Sequence, residues 1–380
     1  MPPSIRDALS SSAWNDLAAW LPRDLDAMAV DTRGFRRRRA IRSAEDFVRV
    51  ALAYGVLDLS LRSVAAWCGE QGLGDLSDVA VLGRLRRGWP LLQAVLQALL
   101  ARVVASPPTQ GPRRRIRLID ATTVSAPGSD GADWRLHASY NLSLGAIDGV
   151  ELTDGRGGEH LGRVPLGPGD LAVADRGYAH EDRLWETVQA GADVLVRIGH
   201  SAVPMQDARG KPLDPLRFAT RRRAAAGRPP RAEGCVVYLR RDTEREFPFR
   251  LIVVRKSVAA TANDRARVEK AANKKGKVPT ARTLEAAKFA LLITSIPTAD
   301  ADDATMAELY RLRWQVELAF KRWKSLLGLA QLRADDPDLA KAYIYAKLIA
   351  AVLADTMARQ WRAFSPYGVP VGDWTVARVA

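Results

Sequence analysis

The sequence predicts an α/β protein: a mixed sheet with flanking helices, an all-helical N-terminal region before it and a β-rich insertion within it. Three observations carry this. Apolar residues recur at helical spacing up to about residue 105, as Val48, Val50, Ala51, Tyr54 and Leu57 do. Pro107 and Pro108 break that pattern, and short β runs follow. Strands then alternate with helix, an order that argues for a mixed sheet rather than a sandwich.

Taken in order, residues 1–108 form the helical region. The first part of the core, 109–200, is expected to hold strands at 116–119, 134–144, 146–152, 171–174 and 194–198, with a helix over about 180–191. Residues 201–285 have a different texture. Basic runs (Arg221-Arg222-Arg223, the stretch from Gly227 to Arg231, Lys274-Lys275-Gly276-Lys277) alternate there with strand-like 236–239 and 249–254, hence the β-rich insertion. The core resumes over 286–365 with a buried strand at 289–296, a long helix from about Asp303 and a last helical region over 339–364. A tail, 366–380, stops without a Gly or Pro terminator, which suits either a natural or a truncated end.

Composition bounds the partners. Fifty-seven basic residues against 43 acidic ones give a formal charge of +14, with ten Trp. That balance suits a polyanion, nucleic acid first and an anionic membrane surface second. Two distant cysteines, Cys68 and Cys235, suggest neither a disulfide framework nor a zinc site. The N-terminus lacks a basic segment followed by an apolar run, and no stretch is long enough to span a bilayer. A cytoplasmic, nucleoid-associated protein is the expectation.

The helical region contains a candidate DNA reader. A helix over 61–68, a glycine-containing turn over 69–74 and a second helix over 77–87, opened by Ser77 as N-cap, resemble a helix-turn-helix. The second helix carries Arg84, Arg86 and Arg87, which suit DNA contact or, in the plainer reading, a solvated face. Upstream, the basic cluster from Arg33 to Arg39 suits backbone contacts.

The strongest chemical signal lies in the long helix. Tyr310, Arg313, Glu317 and Lys324 fall within an arc of about 60° on one continuous helix. They edge an apolar stripe of Leu309, Leu312, Val316, Ala319, Phe320, Trp323 and Leu327. A carboxylate flanked by two cations and a phenol suits a metal ion and a phosphate together. The plainer reading is a solvated face with an Arg313–Glu317 pair. Two aspartates, Asp120 after 116–119 and Asp175 after 171–174, end short apolar strands, where α/β sites commonly form. Turn or cap aspartates occupy such places too. Three carboxylates from separate elements suit hard divalent cations, and two such ions can serve in-line displacement at phosphorus.

At these residues the chain resembles the DDE transposases of the insertion-sequence-four family, which have a ribonuclease-H-like catalytic core. The family helix signature (Tyr, two residues, Arg, three residues, Glu, six residues, Lys) is matched by Tyr310, Arg313, Glu317 and Lys324. Its aspartates correspond to Asp120 in RLIDATTV and Asp175 in VADRGYAH. The likeness spans roughly 110–365 and is loose over the N-terminal region and the insertion. It implies a ribonuclease-H-like mixed sheet and cut-and-paste transposition, with Asp120, Asp175 and Glu317 holding two Mg²⁺ (or Mn²⁺) ions. It implies phosphate contacts from Tyr310, Arg313 and Lys324, and either a phosphate contact or a salt bridge from Arg176. It further implies double-stranded DNA as partner, both terminal inverted repeats and target, and a homodimer in the synaptic complex. Where some relatives stack a Trp on a flipped base, this chain has Ala290, with Phe289 before it as a core residue. His137 is left outside the catalytic set. The competing class is a transposase-derived DNA-binding protein, or a nuclease without transposition activity.

Overall fold

The computed structural model describes residues 5–10, 12–36, 38–105, 114–126, 128–129, 131–221, 232–329 and 332–364. The expected break at Pro107-Pro108, the Arg222-Arg223 and 227–231 runs and the 366–380 tail lie outside them.

Among the described residues six helices come first: α1 (Ile5–Leu9), α2 (Trp14–Ala18), α3 (Leu25–Asp31), α4 (Ala44–Val56), α5 (Leu61–Glu70) and α6 (Asp78–Ala105). Serine caps start α4, α5 and α6. Ser43 and Asp46 form a reciprocal capping box on α4, and the Ser77 hydroxyl accepts from Ala80 N–H at 3.2 Å at the start of α6. The second arginine-bearing helix runs on to Ala105 instead of stopping near Arg87. Its continuation buries Leu91, Leu92, Val95, Leu96 and Leu99, and that burial outweighs the Pro90 within it.

The sheet strands then appear: β1 (Arg115–Val124), β2 (Trp134–Asn141), β3 (Ala146–Asp154), β4 (Asp170–Ala174), then α7 (Glu181–Gln189) and β5 (Asp193–Ile198). Strand β2 ends three residues sooner than expected. The Asn141 side chain accepts from Ser143 and Leu144 N–H, and Gly145 takes φ 60°, so a turn replaces the last strand residues. The next interval holds β6 (Met205–Gln206), α8 (Pro215–Arg221), β7 (Ala232–Leu239), β8 (Phe249–Arg255), α9 (Val258–Asn273) and α10 (Ala281–Ala286). Its helices were hidden by the charged, alanine-rich texture. The chain closes with β9 (Phe289–Thr294), α11 (Asp303–Arg311), α12 (Trp314–Leu327) and α13 (Pro337–Phe364).

The strands form one nine-stranded mixed sheet in the order β3-β2-β1-β4-β5-β9-β8-β7-β6. Strands β1, β2 and β3 pair antiparallel, whereas β4 and β5 run parallel to β1. This is the ribonuclease-H-like arrangement the resemblance implied, and the insertion strands β7 and β8 extend it beyond β9. Both faces of its centre are buried, so β4 and β5 read as continuous apolar runs. On one face Leu118, Leu136, Ala138, Leu171 and Val173 share a core with α4, α6, α12 and α13. On the other, Ile119, Ala172, Ala174, Val194 and Val196 pack with Leu184 of α7. Helix α13 is buried on all sides from Ala342 to Leu353, and that stretch is apolar nearly all round. No helix among the described residues is long and apolar enough to cross a membrane.

Buried Arg250 on β8 sets the path into α11. Its guanidinium donates to Ile296 O (2.8 Å), Ala301 O (2.8 Å) and Asp303 Oδ1 (2.9 Å), so the segment leading into α11 is clamped to the sheet. Replacement by Ala leaves two carbonyls and a carboxylate without their donor, at a cost of about 3 kcal/mol. Arg250→Lys recovers little of this, because one ammonium cannot reproduce the planar fork. Urea denaturation midpoints of the two variants check the expectation, and a wild-type midpoint for Arg250→Ala refutes it.

Candidate active site

The two aspartates come together through strand register. In the parallel β1–β4 ladder the last pair is Ile119 with Ala174, which places Asp120 and Asp175 on the following rung. Neighbouring strands lie about 4.8 Å apart, and residues two apart share a face. Both aspartates therefore stand on the face of Leu118 and Val173, toward the helical layer. Asp120 Oδ1 accepts from Ala121 N–H (2.8 Å). Asp175 caps a 3-10 turn over Arg176–Tyr178, its Oδ1 accepting from Gly177 N–H at 2.8 Å. It is thus a cap and a sheet-edge carboxylate at once.

The helix that brings Glu317 is not continuous, contrary to the sequence expectation. Helix α11 ends at Arg311 and α12 begins at Trp314. Between them Leu312 N–H bonds to Leu309 O and Arg313 N–H to Tyr310 O, three residues back rather than four. This 3-10 tightening advances the chain about 120° per residue, so Tyr310 and Arg313, three apart, eclipse and stay on one side across the break. No Gly or Pro marks the break, and apolar periodicity reads straight through it. Helix α12 lays Val316, Ala319, Phe320 and Trp323 into the core beside β1 and β2 and turns Glu317 toward the aspartates.

Arg313, at the break, ties the pieces together. One guanidinium nitrogen donates to Asp120 Oδ2 at 3.0 Å and the other to Glu317 Oε1. The local pair expected on the helix is present, yet the same cation also grips a carboxylate 193 positions away in sequence. Burial works against its charge, but Tyr310, Glu317 and Asp120 more than offset this and hold Arg313 firmly protonated. Burial pushes the Asp120 carboxyl up to about 6; its Ala121 N–H bond and Arg313 pull the other way, and Asp175 and Glu317 add to the rise. Asp175 and Glu317 therefore both lie within electrostatic reach of Asp120. Burial also raises the Tyr310 hydroxyl, which sits beside Arg313, and lowers the half-buried Lys324 ammonium. Lys324 lies seven residues beyond Glu317, about 10 Å along the same side of α12.

Two further groups stand at the site: Glu159, which carries no motif, and Tyr178, which lies in the VADRGYAH stretch. Glu159 sits against the Asp175 turn: a Cβ on Gly177 would meet its Oε2 at 2.0 Å, so any larger residue there displaces the Glu159 carboxylate. Burial, then the charge of Asp175, raises the Glu159 carboxyl. The buried Tyr178 hydroxyl has no hydrogen-bond partner among the described residues. Burial first, then Asp120, Glu159 and Asp175, drive its pKa far upward.

The remaining candidates lie elsewhere. Arg176 is exposed and lines a cavity of about 230 Å³ with Arg197, His200 and Lys256. On α6, Arg84 lies over the Phe35 ring, Arg86 pairs with Asp336 at 3.0 Å, and Arg87 is exposed. His137 is buried on the opposite sheet face from Asp120, bonded to Thr153, which agrees with its exclusion.

The donor set suits a hard divalent cation, since three carboxylates of separate elements share one electrostatic environment. Arg313 engages the oxygens of two of them. Accordingly, among the described residues no three acidic, His or Cys side chains stand close enough together to hold a metal ion.

Comparison with known proteins gives concordant results. Residues 111–353 match the family described as transposase DDE domain. The InsL transposase for insertion sequence element IS186A of Escherichia coli (strain K12) is 37% identical over 365 residues, 94% of this chain and 97% of that protein. The transposase for insertion sequence element IS421 of Escherichia coli is 37% identical over 366 residues, with the same coverage. The transposase for insertion sequence element IS231D of Bacillus thuringiensis subsp. finitimus is 24% identical over 277 residues, 64% of this chain and 56% of that one.

Asp120 sets a pH signature in the metal-free protein. Its folded-state pKa, about 6, lies above the ordinary value of 3.8, so its contribution is to stability below about pH 4 and is lost as pH rises through 6. The stability of Asp120→Asn relative to wild type is expected to increase across that window in EDTA. Urea unfolding at a series of pH values measures this, and a difference that stays constant with pH refutes the assignment.

Proposed function

The chain belongs to the DDE transposases of insertion sequences and is a DNA transposase; from this premise we propose that Asp120, Asp175 and Glu317 carry its phosphodiester chemistry. The observation that carries the reading is the Arg313 guanidinium shared by Asp120 and Glu317, with Asp175 on the rung beside Asp120. These three carboxylates would hold two Mg²⁺ (or Mn²⁺) ions, which when bound supply activation of an attacking oxygen and stabilisation of a leaving one. Cleavage at the element's ends and joining to target DNA would use this one site.

The chain's own residues have distinct parts in this proposal. Arg313 holds the two acidic groups in register while the site is free of DNA. With substrate in place its planar fork is suited to a backbone phosphate, so it exchanges carboxylate for phosphate oxygens. Tyr310 beside it donates a hydroxyl, and Lys324, about 10 Å further along α12, meets a neighbouring phosphate as a point charge. Arg176, exposed beside Asp175, extends the same cationic rim. Arg84, Arg86 and Arg87 are proposed to contact DNA from α6, although Arg84 and Arg86 already engage Phe35 and Asp336. Double-stranded DNA is the partner, with terminal repeats bound by a homodimer in the nucleoid.

Asp175→Asn is expected to lower metal-dependent cleavage of a terminal-repeat duplex by at least about a thousandfold while leaving duplex binding largely intact. A variant that still nicks the duplex removes Asp175 from the metal set. Lys324→Ala is expected to weaken end binding and cleavage together, by about 1 kcal/mol or more of phosphate contact. Gel-shift and single-turnover measurements follow both, and unchanged kinetics exclude Lys324 from phosphate binding.

A further inference from the structure

We propose that α9 is a backbone clamp for the duplex of the element's end, a role that rests on the transposase reading but not on its metal site. Helix α9 is unusual in burying no side chain. Most helices gain stability by packing an apolar face, and a helix without one needs another reason to persist. Intrinsic propensity and capping supply part of it: six alanines (259, 260, 262, 266, 271 and 272) and a Ser257 cap accepting from Ala260 N–H at 3.2 Å.

Its two sides differ sharply. Thr261, Asp264, Arg265, Val268 and Ala272 are half-buried, and their spacing traces the single stripe that faces the body of the protein. The outer side and the turn beyond it expose Arg267, Lys270, Lys274, Lys275 and Lys277, with Glu269 the one exposed acid there. The four lysines make no ion pair among the described residues. Those in the last turn complement the helix dipole, but Lys277 lies past Gly276 and has no such function.

The inward stripe fastens this cationic face beside the active site. Asp264 bonds to Lys256 and lies 3.8 Å from Arg197, while Arg265 donates to Leu284 O. Asp264, Arg197 and Lys256 line the cavity that also holds Arg176, the residue after Asp175. Arg197 is within electrostatic reach of Tyr310. Positive charge thus runs from the aspartate turn through Arg176 and Arg197 to the outside of α9. A duplex whose terminus occupies the acidic site meets α9 with its flanking phosphates, which is why the element's end rather than target DNA is assigned here.

The test measures binding of the full-length protein to a labelled terminal-repeat duplex in EDTA, by fluorescence anisotropy between about 0.05 and 0.2 M salt. Neutralising Arg267, Lys270, Lys274 and Lys275 together to Gln is expected to weaken binding more than tenfold. Each lost contact reduces the slope of log K against log salt by about 0.9. Glu269→Gln is expected to tighten binding, a gain that misfolding cannot imitate, and circular dichroism verifies the quadruple variant. Unchanged affinity and slope overturn the clamp, as does a defect confined to capture of target duplex. Asp175→Asn run alongside keeps the two readings separable, since it loses cleavage while retaining the α9-dependent salt slope.

Discussion

The parallel pairing of β1 with β4 is the constraint on which the rest of this structure depends. It sets two aspartates on the same rung, facing the same way, at a partly desolvated sheet edge. Like charges in that position repel, and burial makes the repulsion harder to screen. The fold meets the cost locally with a cation, Arg313, delivered from the other half of the chain. Because both faces of the central strands are buried, the register cannot slip by one residue without moving every apolar side chain to the wrong core. The same slip would turn Asp120 to the face of Ile119 and dismantle the site.

Delivery of that cation explains much of the remaining architecture. Arg250 clamps the segment before α11, so the insertion strands that extend the sheet also aim the helix bearing the site. The 3-10 step at Leu312 and Arg313 then ends one helix and begins another. Helix breaks without Gly or Pro are often functional, since they let one side chain point where a regular helix would not. Here it is Arg313 that gains the freedom to reach the sheet. Helix α12 is held by α13, which is itself enclosed by α4 and α6, so the N-terminal helices support the catalytic face through one continuous core.

The distribution of charge follows from the same plan. Of the cations, Arg313 between two of the carboxylates is paired and half-buried, and it ties them together. The lysines on and just beyond α9 are exposed and make no ion pair among the described residues. Arg313 can exchange partners when phosphate arrives, because a guanidinium binds carboxylate and phosphate with the same planar fork. The lysines are already free to neutralise a polyanion. A formal charge of +14 is therefore not spread evenly in purpose, although composition alone reports only its sum.

Much of this was legible in the residues. Short apolar runs ending in Asp120 and Asp175, and the spacing of Tyr310, Arg313, Glu317 and Lys324, required no structure, because periodicity and strand-end position are local properties. The break within the motif helix was not legible: it leaves no breaker residue, and the contact made by Arg313 at the break lies 193 positions away. The full length of α6 was missed because burial against α13 overrode Pro90. Glu159 carries no local signal at all, and the VADRGYAH stretch does not show that the Tyr178 hydroxyl is buried. By itself the sequence determined which groups are chemically capable, and tertiary structure alone decided which of them meet. Reactivity belongs to a side chain, whereas convergence depends on long-range pairing and burial that no local window contains.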